Sequence, residues 1–373
     1  MQRPQTCQET YHANISIAEY IWIDGDQPTQ QLRSKARVVQ LRDNPVPEDF
    51  PLWSFDGSST QQASGEDSDC ILVPVRVARD PGGSHRDYLV LCEVMQPSGH
   101  PHVSNQRARL QQALAQAGAD AEPWIGFEQE YTLYREGRPL GFPEGGYPSP
   151  QGPYYCGVGA DRVFGRELAD AHASLCLYAG LMLYGINAEV MPGQWEFQIG
   201  HRGVDGETAE PLVVCDHLWL ARFLLHREGE RLGYRVSLDN KPVAGDWNGA
   251  GMHTNFSTAD TRNPTRGRRA IDAAIEALSK RHDLHIAHYG AGLSDRLTGH
   301  HETCSIGTFQ AGVAHRGASI RIPQPVAQIG HGYFEDRRPG ANADPYQVAA
   351  CLVTTVCAGS TWADRLGDEE AAA

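Results

Sequence analysis

The sequence predicts an α+β protein in two parts, a small, mostly β region followed by a larger one that mixes strands with helices. Three observations carry this reading. At 373 residues the chain exceeds one typical domain. Short β-like runs separated by turn-rich segments occupy 17–94, namely YIWID, RVVQL, CILVPVRVA and YLVLCEV, with turns such as DGDQPTQQ and DPGGSHRD between them. After the polar stretch MQPSGHPHVSN, β-like runs alternate with long helix-like segments.

That polar stretch marks the expected boundary, with one domain over 17–100 and another over 104–373. The second opens on a helix in NQRARLQQALAQAG, where Leu110 and Leu114 lie four apart and Gly118 supplies a stop. Its strands are expected in WIGFEQEYTLY, INAEVMPGQWEFQIG, YRVSLD, GMHTNFS and ASIRIP. Helices are expected in RELADAHASLCLYAGLMLYG, DHLWLARFLLHREGERLG, RRAIDAAIEALSKRHDLHIAHYG and DPYQVAACLVTTVCAGS, packing behind the strands. The terminal GDEEAAA reads as a frayed tail.

A formal charge of −14, without a lysine or arginine block, argues against nucleic acid or an anionic membrane as partner. Nine cysteines, odd in number and mostly set among apolar residues, read as reduced thiols. With neither a signal-peptide core nor an apolar run long enough to span a bilayer, a cytoplasmic protein is expected.

Phosphate-loop, dinucleotide-fold, zinc-protease and nucleophile-elbow signatures are all missing. Carboxylates remain. In GFEQEYTLY, Glu128 and Glu130 stand two apart on a strand and share a face, about 7 Å from each other along the chain. An isolated pair of this kind can equally belong to an edge strand facing water. A second segment shifts the balance: Glu189 and Glu196 sit on two arms around Pro192-Gly193, so a hairpin brings them to one patch. All four interrupt apolar runs, as ligands of hard divalent cations do.

His253 follows a glycine-rich loop in GDWNGAGMHTNFS. A lone histidine is more often a satisfied core residue, but glycine at its flank lets a ligand approach the backbone. Glu335 stands just before Arg337 and Arg338, and HRGASIRIP adds Arg316 and Arg321. Arginine pairs are common on charged loops; guanidinium groups also bind carboxylate and phosphate oxygens bidentately. Together these residues describe phosphoryl transfer to a carboxylate-bearing acceptor.

Longer words then become specific. WSFDGSST, GFEQEYTLY, SPQGPYYCGVGADR, NAEVMPGQWEFQIG, KPVAGDWNGAGMHTNFST, LTGHHET, ASIRIP and GYFEDRRPGAN, in that order from about Tyr20 to Cys357, resemble glutamine synthetase in its type II, eukaryotic-like form. The resemblance implies a β-grasp-like N-terminal domain and a catalytic domain of the ATP/guanido type, whose antiparallel sheet lines a funnel-shaped active site backed by helices. It implies ligation of ammonia to the γ-carboxylate of L-glutamate through γ-glutamyl phosphate, with ATP as co-substrate and two or more Mg2+ or Mn2+ ions.

Carried over by motif position, one ion would be held by Glu128, His253 and Glu335, the other by Glu130, Glu189 and Glu196. Nucleotide contacts would fall on Trp124, Gln198, Asn255, Ser257, Arg321 and Tyr333, and glutamate contacts on Asn248, Gly249, Arg296 and Arg337. Arg316 would meet the transferred phosphate, Asp56 the ammonium, and Glu302 would be the mobile flap. The resemblance also implies a homo-oligomer, a decamer of two pentameric rings in which Asp56 completes a neighbour's site.

Asp295, His300 and His315 depart from the family's usual residues beside the flap. A paralogue that ligates another amine, or a glutamate analogue, would be expected to differ there. A non-catalytic homologue would be expected to lose a metal carboxylate or Glu302, and all are present.

Overall fold

The computed structural model describes residues 15–84 and 87–357; the expected C-terminal tail lies outside them. The chain divides into two compact units, Met1–Ala108 with Leu175–Leu181, and Arg109–Ser174 with Met182–Ala373.

In the first unit, β1 (Ile15–Ile23), β2 (Leu32–Gln40), β3 (Trp53–Asp56), β4 (Asp69–Arg79) and β5 (Tyr88–Met95) form one sheet in the order β2-β1-β5-β4-β3. The β1–β5 pair is parallel and its neighbours antiparallel. Alternation explains the core: Ala18, Tyr20 and Trp22 on β1 point to the same side and pack with Leu72, Val90 and Phe55. β3 falls in WSFDGSST, outside the four runs expected from hydrophobicity. It is four residues long with only Phe55 buried, too short to show a period.

The second unit is built on β6 (Trp124–Arg135), β7 (Arg138–Pro139), β8 (Leu183–Ala188), β9 (Gln194–Ile199), β10 (Arg235–Ser237), β11 (Met252–Ser257), β12 (Ala311–Val313), β13 (Ile320–Ile322) and β14 (Phe334–Asp336). The main path is β12-β13-β14-β11-β6-β9-β8, with β7 and β10 also on β6. Pairing is antiparallel except at the β12–β13 edge, which is parallel. The expected hairpin forms between β8 and β9. Gly193 makes its turn at φ 72°, and a Cβ there would lie 2.5 Å from the Leu140 carbonyl oxygen, so no other residue fits without displacement.

Helices α1 (Gln106–Ala117), α2 (Arg166–Tyr178), α3 (Pro211–Leu232), α4 (Gly267–Lys280), α5 (His282–His288) and α6 (Pro345–Cys357) match the helix-like segments with two corrections. The run beginning at Arg166 stops at Tyr178, Gly180 takes φ 77°, and Leu183 onward is strand β8. Apolar residues there are dense enough to suit either period, so the glycine decides. The run beginning at Arg268 breaks at Arg281, where the backbone leaves helical geometry. Among the described residues no helix is long and apolar enough to cross a membrane.

β6 is buried on both faces because α3 packs against it from behind. Gln129, between the two glutamates, therefore points to the helix side and is fully buried. Arg222 of α3 donates to its Oε1 from Nε at 2.9 Å and from Nη2 at 2.5 Å. The same guanidinium donates to the carbonyls of Ala341 and Ala343 at 3.1 and 3.0 Å. One buried cation thus ties the carboxylate strand to the segment that follows Arg337-Arg338. Removing it takes a donor from three buried acceptors, of which, among the described residues, only the Ala341 carbonyl keeps another, from Gln129 Nε2 at 3.0 Å, so Arg222→Ala should cost roughly 3–5 kcal/mol in denaturant unfolding. A loss within surface-mutation noise would show that the arginine is dispensable.

Candidate active site

Strand periodicity puts Glu128 and Glu130 on the face opposite Gln129, and sheet register supplies their neighbours. Glu130 stands directly across from Glu196 on β9, and Glu128 across from His253 on β11. Across β11 and β14, Asn255 pairs with Glu335, and Arg321 of β13 pairs with Glu335 from the other side. On the far edge Asn187 of β8 pairs with Glu196. The functional side chains thus run as a band across the sheet, roughly perpendicular to its strands.

This band floors a cavity of about 340 Å³. Every carboxylate and the histidine assigned to metal lines it: Glu128, Glu130, Glu189, Glu196, Glu335 and His253. So do Gln198, Arg321, Asn248, Gly249, Arg296, Arg337, Arg316 and Glu302. Trp124, Asn255, Ser257 and Tyr333 do not line it, although the first three share the β6–β11 pairing and Tyr333 precedes β14. Asp56 belongs to the first unit, and all the lining residues to the second.

Two groups of candidate ligand atoms, each within 4.8 Å of one another, occur among the described residues: Glu128, His253, Glu335 and Glu130, Glu196, His253. His253 serves both. Glu189 stands outside the second group but lines the same cavity, and its charge and that of Glu130 act on Glu196.

The carboxylates fall into two electrostatic classes. Glu335 accepts from Arg321 at 2.7 Å and from Arg337 at 2.5 Å, and Glu302 pairs with Arg316 at 2.9 Å. The others are held by neutral donors. Glu130 accepts the Gly251 N–H at 2.8 Å and the Gln194 amide at 3.3 Å. Glu189 accepts from Asn187 at 2.9 Å, and Glu196 from Gln198 at 2.6 Å. Burial raises the proton affinity of all three, and mutual repulsion adds to it, pushing Glu189 up to about 8.

His253 is common to both groups. Arg296 Nη2 donates to its Nε2 at 3.1 Å, which requires a lone pair there and so places the ring proton on Nδ1. Nδ1 lies 3.6 Å from Glu128 and 3.7 Å from Glu335, so the imidazole stands between the two carboxylates. Burial, with Arg337 nearby, keeps the imidazole neutral, the form that binds metal. Buried carboxylates without a counter-cation, beside a neutral imidazole, fit a hard divalent ion.

At the start of β6, Arg262 lies 3.8 Å from the Trp124 ring centre and donates to Ser257 Oγ at 2.9 Å. Trp124 keeps 45% of its surface exposed and Tyr333 42%, leaving flat apolar faces open to a ligand. In the first unit Asp56 is exposed and accepts from Ser58 Oγ at 2.6 Å and Ser59 Oγ at 3.0 Å. These hydroxyl bonds hold its carboxyl below the usual range, so it is an anion at neutral pH.

Comparison with known proteins follows the same lines. The profile described as glutamine synthetase, beta-Grasp domain, matches residues 14–97. Glutamine synthetase of Streptomyces viridochromogenes is 54% identical over 343 residues, covering 91% of this chain and 96% of that one. The Neurospora crassa enzyme is 52% identical, covering 92% of each chain. The chain belongs to the glutamine synthetase family. The chloroplastic glutamine synthetase of Chlamydomonas reinhardtii is 51% identical, covering 92% of this chain and 90% of its own. A solved structure described as apo GmaS without ligand shares the fold, with a TM-score of 0.65 at 20% identity over 91% of this chain and 77% of the other.

Within a glutamine synthetase framework, the three departures Asp295, His300 and His315 are all exposed and none lines the cavity. Residues that line it without having been singled out include Tyr155, Asn187, His301 and Thr303. Asn187 was within reach, because it stands two before Glu189 in NAEVMPGQWEFQIG. Tyr155 and His301 carry no local pattern that separates them from ordinary loop residues.

The raised carboxylates predict a pH signature. Protons bound by these groups in the folded, metal-free protein are released on unfolding, so their contribution to stability is fully present below the ordinary carboxylate range and is lost as pH rises toward about 8, where Glu189 titrates. Each such group contributes at most about 1.4 kcal/mol per pH unit. Glu189→Gln should flatten that decline in chelator-treated protein, and adding Mn2+ should reverse it in the parent. Parallel profiles for parent and variant would remove Glu189 from the account.

Proposed function

We propose that this cavity joins ammonia to the γ-carboxylate of L-glutamate at the expense of ATP. The observation that carries the reading is 54% identity to a glutamine synthetase across nine-tenths of the chain, with the six metal-assigned residues of the second unit and Arg296, Glu302, Arg316, Arg321 and Arg337 lining one cavity. A γ-carboxylate oxygen attacks the terminal phosphorus of ATP, ADP leaves, and the product is γ-glutamyl phosphate. Ammonia then attacks the acyl carbon, the bond to the phosphate oxygen breaks, and glutamine and phosphate result.

The roles follow from charge. Glu128, His253 and Glu335 would hold one divalent ion and Glu130, Glu189 and Glu196 another, Mg2+ or Mn2+, which would neutralise phosphate and carboxylate oxygens and bring the two anionic substrates together. Arg321 and Arg316 face the phosphates, Arg316 the one transferred. Arg337 and Arg296, with Asn248 and Gly249, hold the glutamate. Trp124, Tyr333, Gln198, Asn255 and Ser257 hold the nucleotide; exposed rings at Trp124 and Tyr333 and the cation over Trp124 support this.

Glu302, bonded to Arg316, closes over the intermediate and keeps water from the acyl phosphate. Asp56 takes the ammonium and its proton; its ionised carboxylate and its exposure support that role. We place Asp56 in the cavity of a neighbouring copy, in a homo-oligomer of two stacked pentameric rings, on the strength of the family resemblance. The described cysteines are free thiols, which supports a reducing compartment such as the cytoplasm.

Purified protein with Mg2+, ATP, glutamate and ammonium should release one phosphate per glutamine. Glu128→Ala or Glu189→Ala should lower the rate by roughly 100-fold or more. Asp56→Ala should leave ATP binding intact and raise the ammonium concentration needed for half-maximal rate. Full activity of Asp56→Ala at limiting ammonium would refute its assignment, and ATP hydrolysis without any glutamine would refute the reaction.

A further inference from the structure

Gln151 lies in the stretch between β7 and α2 and does not itself line the cavity, yet bonds two residues that do. Its Oε1 accepts the Asn248 N–H at 2.6 Å, and its Nε2 donates to Asn248 Oδ1 at 2.8 Å. A backbone N–H can only donate, so the amide oxygen must face it; this settles which end of the side chain is nitrogen. The second Nε2 hydrogen points at His301 Nδ1, 3.0 Å away. Nδ1 is then the acceptor, and the imidazole proton sits on Nε2, 2.9 Å from Asp246 Oδ1.

These contacts close a ring. Asp246 and Asn248 belong to one loop, the loop that presents Asn248 and Gly249 to the cavity. His301 is held to that loop directly through Asp246 and indirectly through Gln151. His301 and Glu302 have φ of 51° and 62°, left-handed backbone at two consecutive non-glycine residues. Such a turn is disfavoured on its own and persists where surrounding contacts impose it. The two bonds to the His301 ring and the Glu302–Arg316 pair are among those contacts, with Arg337 Nη2 donating to the Glu302 carbonyl at 3.5 Å and Thr303 Oγ1 to the His300 carbonyl at 2.8 Å.

We infer that Gln151 and His301 are positioning residues that couple the loop bearing Asn248 and Gly249 to the placement of Glu302 over the cavity. The inference rests on the proposed function, in which that loop holds glutamate and Glu302 shields an acyl phosphate. Ordering of the loop by the amino acid is passed through the Gln151 amide to the His301 ring, and from there to the strained turn. Without the latch, water reaches the acyl carbon. Its oxygen forms the new bond, the bond to the phosphate oxygen breaks, a proton passes to solvent, and glutamate is regenerated with loss of one ATP.

The test is the ratio of phosphate released to glutamine formed, measured with saturating ATP and ammonium and varied glutamate. The parent should give one to one. Gln151→Leu, similar in volume but unable to bond, should raise the ratio severalfold and raise the KM for glutamate, with the KM for ATP unchanged. His301→Leu, which loses the Asp246 contact as well as the Gln151 bond, should raise the ratio at least as much, and the double variant should be no worse than His301→Leu alone, because that change already severs the connection through Gln151. A merely structural role would lower the yields of phosphate and glutamine together and leave the ratio at one. That result, or additive effects in the double variant, overturns the latch; if Gln151→Leu fails to fold, the His301→Leu ratio decides alone. A parent that forms no glutamine overturns the proposed function and this inference with it, whereas a coupled parent with coupled variants overturns the latch alone.

Discussion

Glu130 and Glu196 face one another across adjacent antiparallel strands, both buried, and among the described residues no guanidinium hydrogen-bonds either of them as Arg321 does Glu335. Like charges in directly opposed positions destabilise a sheet, and burial makes the repulsion worse. Much else in the second unit can be understood as a response to that constraint. Neutral amides from Gln194, Asn187 and Gln198 orient the carboxylates without cancelling their charge. The guanidiniums of Arg321 and Arg337 are bonded at the other side of the patch, to Glu335. A gradient results, from carboxyls whose proton affinity is raised by burial and mutual repulsion around β9 to a guanidinium-paired carboxylate at β14.

Holding such a patch open requires rigidity from behind. Arg222 supplies it by grasping Gln129, the residue between the two glutamates, and the carbonyls that follow Arg338. A second buried pair, Arg338 with Asp336 at 2.7 Å, lies next in sequence to Glu335 and Arg337. Asp336 also accepts from Tyr289 at 2.9 Å. Alternation along β14 makes this possible: Glu335 and Arg337 line the cavity while Asp336 bonds to residues outside it. Fully satisfied buried polar networks of this kind fix geometry at a cost in desolvation, and here the geometry fixed is that of the cavity floor.

The cavity's rim is organised differently. Where the floor rests on sheet register, the rim rests on loops joined by side-chain amides, with Gln151, Asn248, His301 and Asp246 in one closed circuit. Loops bonded in this way can open by exchanging a few hydrogen bonds with water, whereas strand register cannot shift without moving every carboxylate. That difference suits a site in which charge must stay put while access changes.

The amino-acid sequence by itself determined which groups could act and which of them share a strand face. Glu128 and Glu130 on one side of β6, and Glu189 and Glu196 brought together by the Pro192-Gly193 turn, follow from period-two alternation and local turn chemistry. Motif words carried the family and the same roster of residues. What local sequence could not hold is register between strands far apart in the chain. That Glu130 meets Glu196, that His253 stands between both carboxylate groups, and that Arg222 reaches through to Gln129 were decided by tertiary pairing. So was the helix-to-strand change after Gly180, where apolar residues satisfied either period. Gln151 shows the limit most plainly: an ordinary polar loop residue in sequence, it gains its role from Asn248 and His301, 97 and 150 positions away. A hydrogen-bond circuit is a property of positions in space, and only the folded chain brings those positions together.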